Sequence, residues 1–287
     1  MRLFFVAVCV TLASPALAQS QPTSESPGAV DVIAAIKAAD VPVRESSFHG
    51  FEMHSLKLDS VECRIVSPKA PAEGKPWVWR ARFWGHQPQF DLEMLRRGWH
   101  VVYCDVAGLF GNDVAIERWD QFYRQTQKWG LHEKPFLEGM SRGGLIVMRW
   151  ASANANVVAG IYVDNAVMDF RSWPAAKFLG ADALGTGATG AWKQCLQAYG
   201  LSEDAALRYS DGPLDRLKSL AEKEVPIYAL INEADDVVPP AENGDQLVKR
   251  YRELGGKIIE HRRPGLGHHP HGLQDPKPIV QFAIESL

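Results

Sequence analysis

A glycine-flanked serine, Gly139-Met140-Ser141-Arg142-Gly143, constrains this chain more than any other stretch. A short apolar run ending at Leu137 leads in. A helix-like run, Leu145-Ile146-Val147-Met148-Arg149-Trp150-Ala151, leads out. A Gly-x-Ser-x-Gly set between a strand and a helix forces a sharp, strained turn that lifts the serine clear of the sheet edge. Neighbours two positions away crowd that turn, and Gly139 and Gly143 carry no Cβ there. A helix beginning at Arg142 would aim free N–H groups at the region of the Ser141 hydroxyl, where negative charge would develop. The five residues alone also fit an ordinary turn. Two blocks nearer the C-terminus give them weight.

Apolar patterning predicts strands at 46–58, 61–67, 77–84, 99–106, 135–140, 157–167, 225–232 and 257–262. Helices are predicted at 30–39, 90–98, 115–129, 142–153, 241–254 and 276–287. From residue 77 onward strands and helices alternate. That pattern implies an α/β fold, a mostly parallel twisted sheet with helices on both faces. Residues 169–220 are irregular, with helical pieces and a Gly-rich stretch, and read as a cap inserted in one domain covering 30–287.

The start of the chain reads differently. Residues 1–18 combine Arg2, an apolar run over 3–12 and an Ala16-x-Ala18 pattern, the signature of a cleaved signal peptide. Residues 19–29 are a polar leader rich in Ser and Pro. The expected location is therefore periplasmic or secreted. The apolar run is too short to span a bilayer, so no membrane insertion is expected. The net charge of −3, with no basic run, argues against nucleic acid as a partner. Cys9 falls in the leader, and the remaining Cys63, Cys104 and Cys195 allow at most one internal disulfide. Their spacing matches no zinc motif.

The first of the two blocks is Glu233-Ala234-Asp235-Asp236-Val237-Val238-Pro239. It comes after a buried strand, so its carboxylates sit at the strand's carboxyl end, where ligands and catalytic groups gather. The second, Pro264-Gly265-Leu266-Gly267-His268, comes after the last strand. With these blocks the sequence resembles the α/β-hydrolase family from about residue 77 onward. Secreted bacterial esterases and prolyl-oligopeptidase-like hydrolases look most similar. The resemblance implies a Ser141, Asp235, His268 triad in that chain order. A serine hydroxyl is a weak nucleophile, so a neutral imidazole takes its proton, and a carboxylate fixes the imidazole tautomer. Asp236 and Asp164, at the end of strand 157–167, are the other candidate acids. His269 and His271 are expected to be structural or pocket-lining. A metal site from His268, His269 and His271 is disfavoured, and no metal or cofactor is expected.

An oxyanion hole needs two backbone donors. Arg142 N–H is one. The loop after strand 77–84 gives the other, from His86 or Gln87, with His86 preferred. Arg80 and Arg82 share a face of that strand by its period of two. A buried arginine needs a carboxylate, so Arg82 is expected to pair with Glu138 or Asp105, the Glu138 pairing being preferred. The alternative places an arginine in the pocket against an acidic substrate such as a uronate. In the cap, Trp173, Phe178, Trp192, Lys193, Gln194 and Tyr199 suit stacking on a sugar or aryl group, or packing of the cap itself. Trp84, His86, Trp173, Trp192 and His269 are the expected substrate contacts. The expected substrate is a small-molecule or saccharide carboxylic ester. A peptidase of prolyl-oligopeptidase type and a catalytically silent binding protein are the rivals.

Overall fold

The computed structural model describes residues 1, 31–38, 41–176 and 183–287. Apart from Met1, the signal-peptide and leader readings over 1–29 lie outside the described residues, as does Phe178. The sheet has nine strands: β1 (Val43–Phe48), β2 (Phe51–Leu58), β3 (Val61–Ser67), β4 (Trp77–Arg80), β5 (His100–Cys104), β6 (Phe136–Met140), β7 (Gly160–Asp164), β8 (Ile227–Asn232) and β9 (Ile258–Arg263). Their spatial order is β1-β2-β3-β5-β4-β6-β7-β8-β9. The strands from β4 to β9 run parallel, and β1 to β3 form an antiparallel edge joined to β5. This is the expected mostly parallel α/β sheet.

Two strand readings differ most from expectation. The stretch 46–58 is two strands, because His49 and Gly50 both take positive φ (50° and 85°) and close a hairpin. Two consecutive left-handed residues give the turn whose twist matches the flanking strands. Strand 77–84 stops at Arg80, and Phe83 already has φ 54°. The Arg80 side chain is the cause, because it binds the carbonyls of Arg82 and Phe83 and folds the chain back.

Helices cover both faces. On one side lie α1 (Val32–Ala38), α3 (Asp113–Lys128), α4 (Gly143–Ala153) and α8 (Gly244–Glu253), with α7 (Leu217–Glu222) packed on α4 and α8. Their core centres on Trp79, which stacks on Trp119 at 4.0 Å and meets Trp150 edge-on at 4.9 Å. Such pairs contribute roughly 0.5–1.5 kcal/mol beyond area burial. On the other side α2 (Gln89–Arg96) and α9 (Lys277–Glu285) bury Phe90, Phe136, Tyr162 and Phe282. The stretch read as a cap holds α5 (Thr189–Tyr199) and α6 (Glu203–Leu207) over a separate cluster of Phe170, Trp192 and Cys195. Leu217 and Leu220, at the end of the stretch 169–220 read as a cap, pack in the main core. Cys63, Cys104 and Cys195 are free and buried. No helix among the described residues is long and apolar enough to cross a membrane.

Candidate active site

Ser141 sits between the end of β6 and the start of α4 with φ 48°, a left-handed backbone on a residue with a Cβ. Such strain costs of order 1–3 kcal/mol and persists only where surroundings enforce it. They do so here. Ser141 N–H donates to Asp164 O at 2.8 Å, and Ser141 O accepts from Val167 N–H at 2.9 Å. Side-chain-free neighbours are also required. A Cβ on Gly139 would lie 3.1 Å from the Val147 side chain. The tightest position is Gly144, just beyond the motif, where a Cβ would lie 2.7 Å from Ala166 Cβ and 2.8 Å from Val167 O. Gly143 is less confined, at 3.4 Å from Ala81 Cβ.

The three triad candidates meet. Ser141 Oγ lies 3.0 Å from His268 Nε2, and His268 Nδ1 lies 2.7 Å from Asp235 Oδ2. The other oxygen, Asp235 Oδ1, accepts from the N–H groups of Val237 (3.0 Å) and Val238 (2.8 Å). Asp235 is therefore a buried carboxylate aimed by its own turn, whereas Asp236 is exposed. Asp164 does not reach His268. It accepts from Tyr162 Oη–H at 2.9 Å and Gly272 N–H at 2.5 Å, and meets His271 Nδ1 at 3.1 Å. Its position at the end of β7 anchors the loop that carries the histidines.

That loop has other anchors, which no local sequence motif marks. Asn232, the last residue of β8, donates to Gly267 O at 2.6 Å and accepts from Arg263 Nε–H at 2.7 Å. Arg263 also donates to Gly272 O (2.6 Å) and Pro270 O (2.7 Å). Asn165 accepts from Asn232 N–H at 2.7 Å and donates to His268 O at 3.4 Å. An asparagine ending an otherwise apolar strand was the available clue, because a buried amide must find partners.

Beneath the site the arginine expectation is corrected. Arg80, not Arg82, pairs with Glu138, at 3.0 Å, and with Asp91 at 2.5 Å. Arg80 and Glu138 are direct register partners on β4 and β6. The same guanidinium donates to the carbonyls of Arg82 (3.2 Å), Phe83 (3.1 Å) and His86. One planar fork thus folds the loop back over the strand end and stops β4 at Arg80. Burial pushes the Glu138 carboxyl well above the usual carboxylate range, against the pull of Arg80 and with Asp91 adding to the rise. Arg82 is half-buried with its guanidinium 4.8 Å over the Phe83 ring, and its Nε makes no hydrogen bond. Asp105 instead accepts from Tyr103 Oη–H and Ala107 N–H, both at 3.0 Å.

The oxyanion expectation also changes in one half. His86 N–H donates to Phe83 O at 3.0 Å, closing a turn, and is not free for a substrate oxygen. The part of this loop that packs on the elbow is Ala81-Arg82, with Arg82 N 3.9 Å from the point where a Gly143 Cβ would lie. Arg142 is the residue before α4, and its guanidinium lies 4.7 Å over Phe110 and 5.5 Å over Trp173.

Of the expected substrate contacts, Trp173 is half-buried against Arg142, His269 is exposed beside His268, and His86 is exposed beside His269. The ring of His269 is 5.1 Å from that of His268, and the ring of His86 is 6.1 Å from that of His269. Burial lowers the basicity of both His86 and His269, with neighbouring histidines adding to the effect. Trp192 is corrected: it is 2% exposed and belongs to the cap's core. Trp84 is turned toward Phe48 (4.9 Å) and Tyr103 (5.6 Å), on the antiparallel edge. A hollow of about 370 Å³ between β3, β5 and α3 is lined by none of the triad candidates.

No protein-family model and no curated protein matches the chain. Solved structures do match in shape. A puromycin-hydrolysing peptidase of Mycobacterium tuberculosis superposes with TM-score 0.58 at 16% identity, covering 91% of this chain and 40% of that one. A puromycin hydrolase gives TM-score 0.58 at 20% identity, covering 85% and 37%. A candidate dipeptidyl aminopeptidase IV from Bacteroides ovatus gives 0.58 at 13% identity, covering 86% and 36%. The chain therefore spans about two-fifths of the length of these three structures. With its sheet order, elbow and loop positions, it has the α/β-hydrolase fold.

Proposed function

We propose that the chain is a serine hydrolase in which Ser141 attacks an acyl carbonyl, His268 is the general base and Asp235 orients it. The Ser141, His268, Asp235 hydrogen-bond relay, at 3.0 Å and 2.7 Å, carries this reading. His268 Nε2 takes the hydroxyl proton as the Ser141 Oγ–carbon bond forms, then returns it to the leaving group as the tetrahedral intermediate collapses. Water repeats the cycle on the acyl-enzyme. Asp235 stabilises the imidazolium without taking its proton. Arg142 N–H, behind the start of α4, is one oxyanion donor. The Arg82-Phe83 turn, packed on the elbow and shaped by Arg80, provides the second.

For the substrate we favour a small peptide or aminoacyl amide over the carbohydrate ester expected from sequence. The support is the two peptidase structures and the puromycin hydrolase sharing the fold at TM-score 0.58. Export remains part of the reading and rests on the pattern of residues 1–18.

A fluorophosphonate probe and a panel of aminoacyl and dipeptidyl anilides beside aryl, acetyl-sugar and uronate esters test this. The expected result is probe labelling on Ser141 and turnover of the anilides. Absence of labelling would defeat the hydrolase reading. Turnover of sugar or uronate esters with anilides untouched would return the substrate to the ester class.

A further inference from the structure

The loop after β9 carries more imidazole than the relay uses. The potential ligand atoms of His268, His269 and His271 all lie within 4.8 Å of one another. Their rings are mutually edge-on, with centroids 4.7 to 5.1 Å apart. His271 is buried, yet beyond its Nδ1 contact with Asp164 it makes no hydrogen bond among the described residues. Catalysis by the relay gives it no task.

Two of the three histidines are prepared in the same way. His268 Nδ1 faces Asp235 at 2.7 Å, and His271 Nδ1 faces Asp164 at 3.1 Å. A carboxylate on one ring nitrogen holds the proton there and leaves the lone pair on the other, which is the outer-shell arrangement of metal-bound histidines. Asp235 and Asp164 are both buried, so these pairings are built into the fold. His269 is exposed and sits between the two, free to turn.

We propose that His268, His269 and His271 form a site for a late first-row divalent ion, Zn²⁺ foremost, and that the bound ion switches the hydrolase off. His268 and His271 bind through Nε2, the nitrogen their carboxylates leave free, and water completes the sphere. Neutral imidazoles suit zinc, copper and nickel. Ligand nitrogens around tetrahedral zinc lie about 3.4 Å apart, so a set already within 4.8 Å of one another needs to close by at most roughly 1.4 Å. A metal on His268 Nε2 takes the lone pair that Ser141 needs for proton transfer, so metal binding and nucleophile activation exclude each other. The inhibitory half rests on the hydrolase reading; the metal site does not.

The test uses the metal-stripped chain without a histidine tag. Zn²⁺ is titrated calorimetrically, and Co²⁺ is followed by the visible absorption of its low-coordinate form. One ion per chain is expected. Ser141→Ala retains all three histidines and should bind as tightly as the parent while being dead to the fluorophosphonate probe. His269→Ala, at an exposed position, should weaken Zn²⁺ binding at least about tenfold. His271→Asn should do the same, with a thermal melt confirming its fold. In the parent chain one equivalent of Zn²⁺ should block probe labelling, and a chelator should restore it. Absence of stoichiometric binding, or equal affinity in His269→Ala, overturns the site. Binding with undiminished labelling overturns the switch alone. Binding to a chain that never labels leaves the site standing and defeats the hydrolase reading instead.

Discussion

Asp235 with His268 and Asp164 with His271 are two versions of one device. The carboxylates stand at the ends of the adjacent strands β8 and β7, and both histidines hang from one loop. In each pair a buried carboxylate faces Nδ1. The difference lies at the far nitrogen: His268 Nε2 meets the Ser141 hydroxyl at 3.0 Å, whereas His271 meets none. A buried Asp and His pair is therefore not in itself a catalytic feature. On the hydrolase reading proposed above, it becomes one where the elbow delivers a hydroxyl.

Three changes probe that contrast, beginning with the largest effect. Ser141→Ala removes the group that distinguishes the pairs, and hydrolysis should fall about 10⁴-fold or more with an unchanged fold. Steady-state rates and circular dichroism report both halves, and residual probe labelling would mean another nucleophile. Asp235→Asn should cost roughly 10⁴-fold by misplacing the imidazole tautomer. Asp164→Asn should act mainly on the loop, costing about 1–3 kcal/mol of stability for its lost acceptor and far less activity. If the two variants exchange these phenotypes, Asp164 is the acid.

Arg80→Met tests what holds the elbow from beneath. It strands two buried carboxylates and frees three loop carbonyls, so denaturant unfolding should register a loss of roughly 3–5 kcal/mol. Arg82→Met should be far milder, because Arg82 has no carboxylate partner among the described residues. Equal losses from the two would show that the register partner is not what matters. A last comparison uses His100, which is buried like His271 but has an unpartnered Nδ1. Burial lowers its pKa from 6.5 to about 4. The folded state thus holds it neutral, and stability present above pH 6.5 is lost as pH falls through about 4. His100→Phe should leave stability at pH 7 nearly unchanged and flatten that acid slope. An unchanged slope would assign the acid sensitivity to other groups.

The legible part of the molecule was the part written in short-range signals. The elbow could be read because a strained turn needs glycines at fixed offsets, and the Ser, Asp, His order because three strand ends supply them in sequence. Alternating apolar runs were enough to imply the parallel sheet. The arginines were legible only to a point. A period of two put Arg80 and Arg82 on one face, but the end of the strand decided which one met Glu138. That end is set by Arg80 binding carbonyls of its own loop, a contact that exists only after the loop has folded.

By itself, then, the sequence determined the fold class and the Ser141 turn, since both arise from local backbone chemistry and chain order, while the family resemblance singled out Asp235 and His268 among the candidates to join it. The tertiary structure decided the rest. It turned Trp192 into the cap's core and Trp84 toward the antiparallel edge, spent His86 N–H on a turn, and gave Asp164 to His271. It also drew Asn165, Asn232 and Arg263 into one network behind the histidine loop. These outcomes depend on which polar groups become mutual nearest partners once water is excluded, and chain spacing carries no record of that.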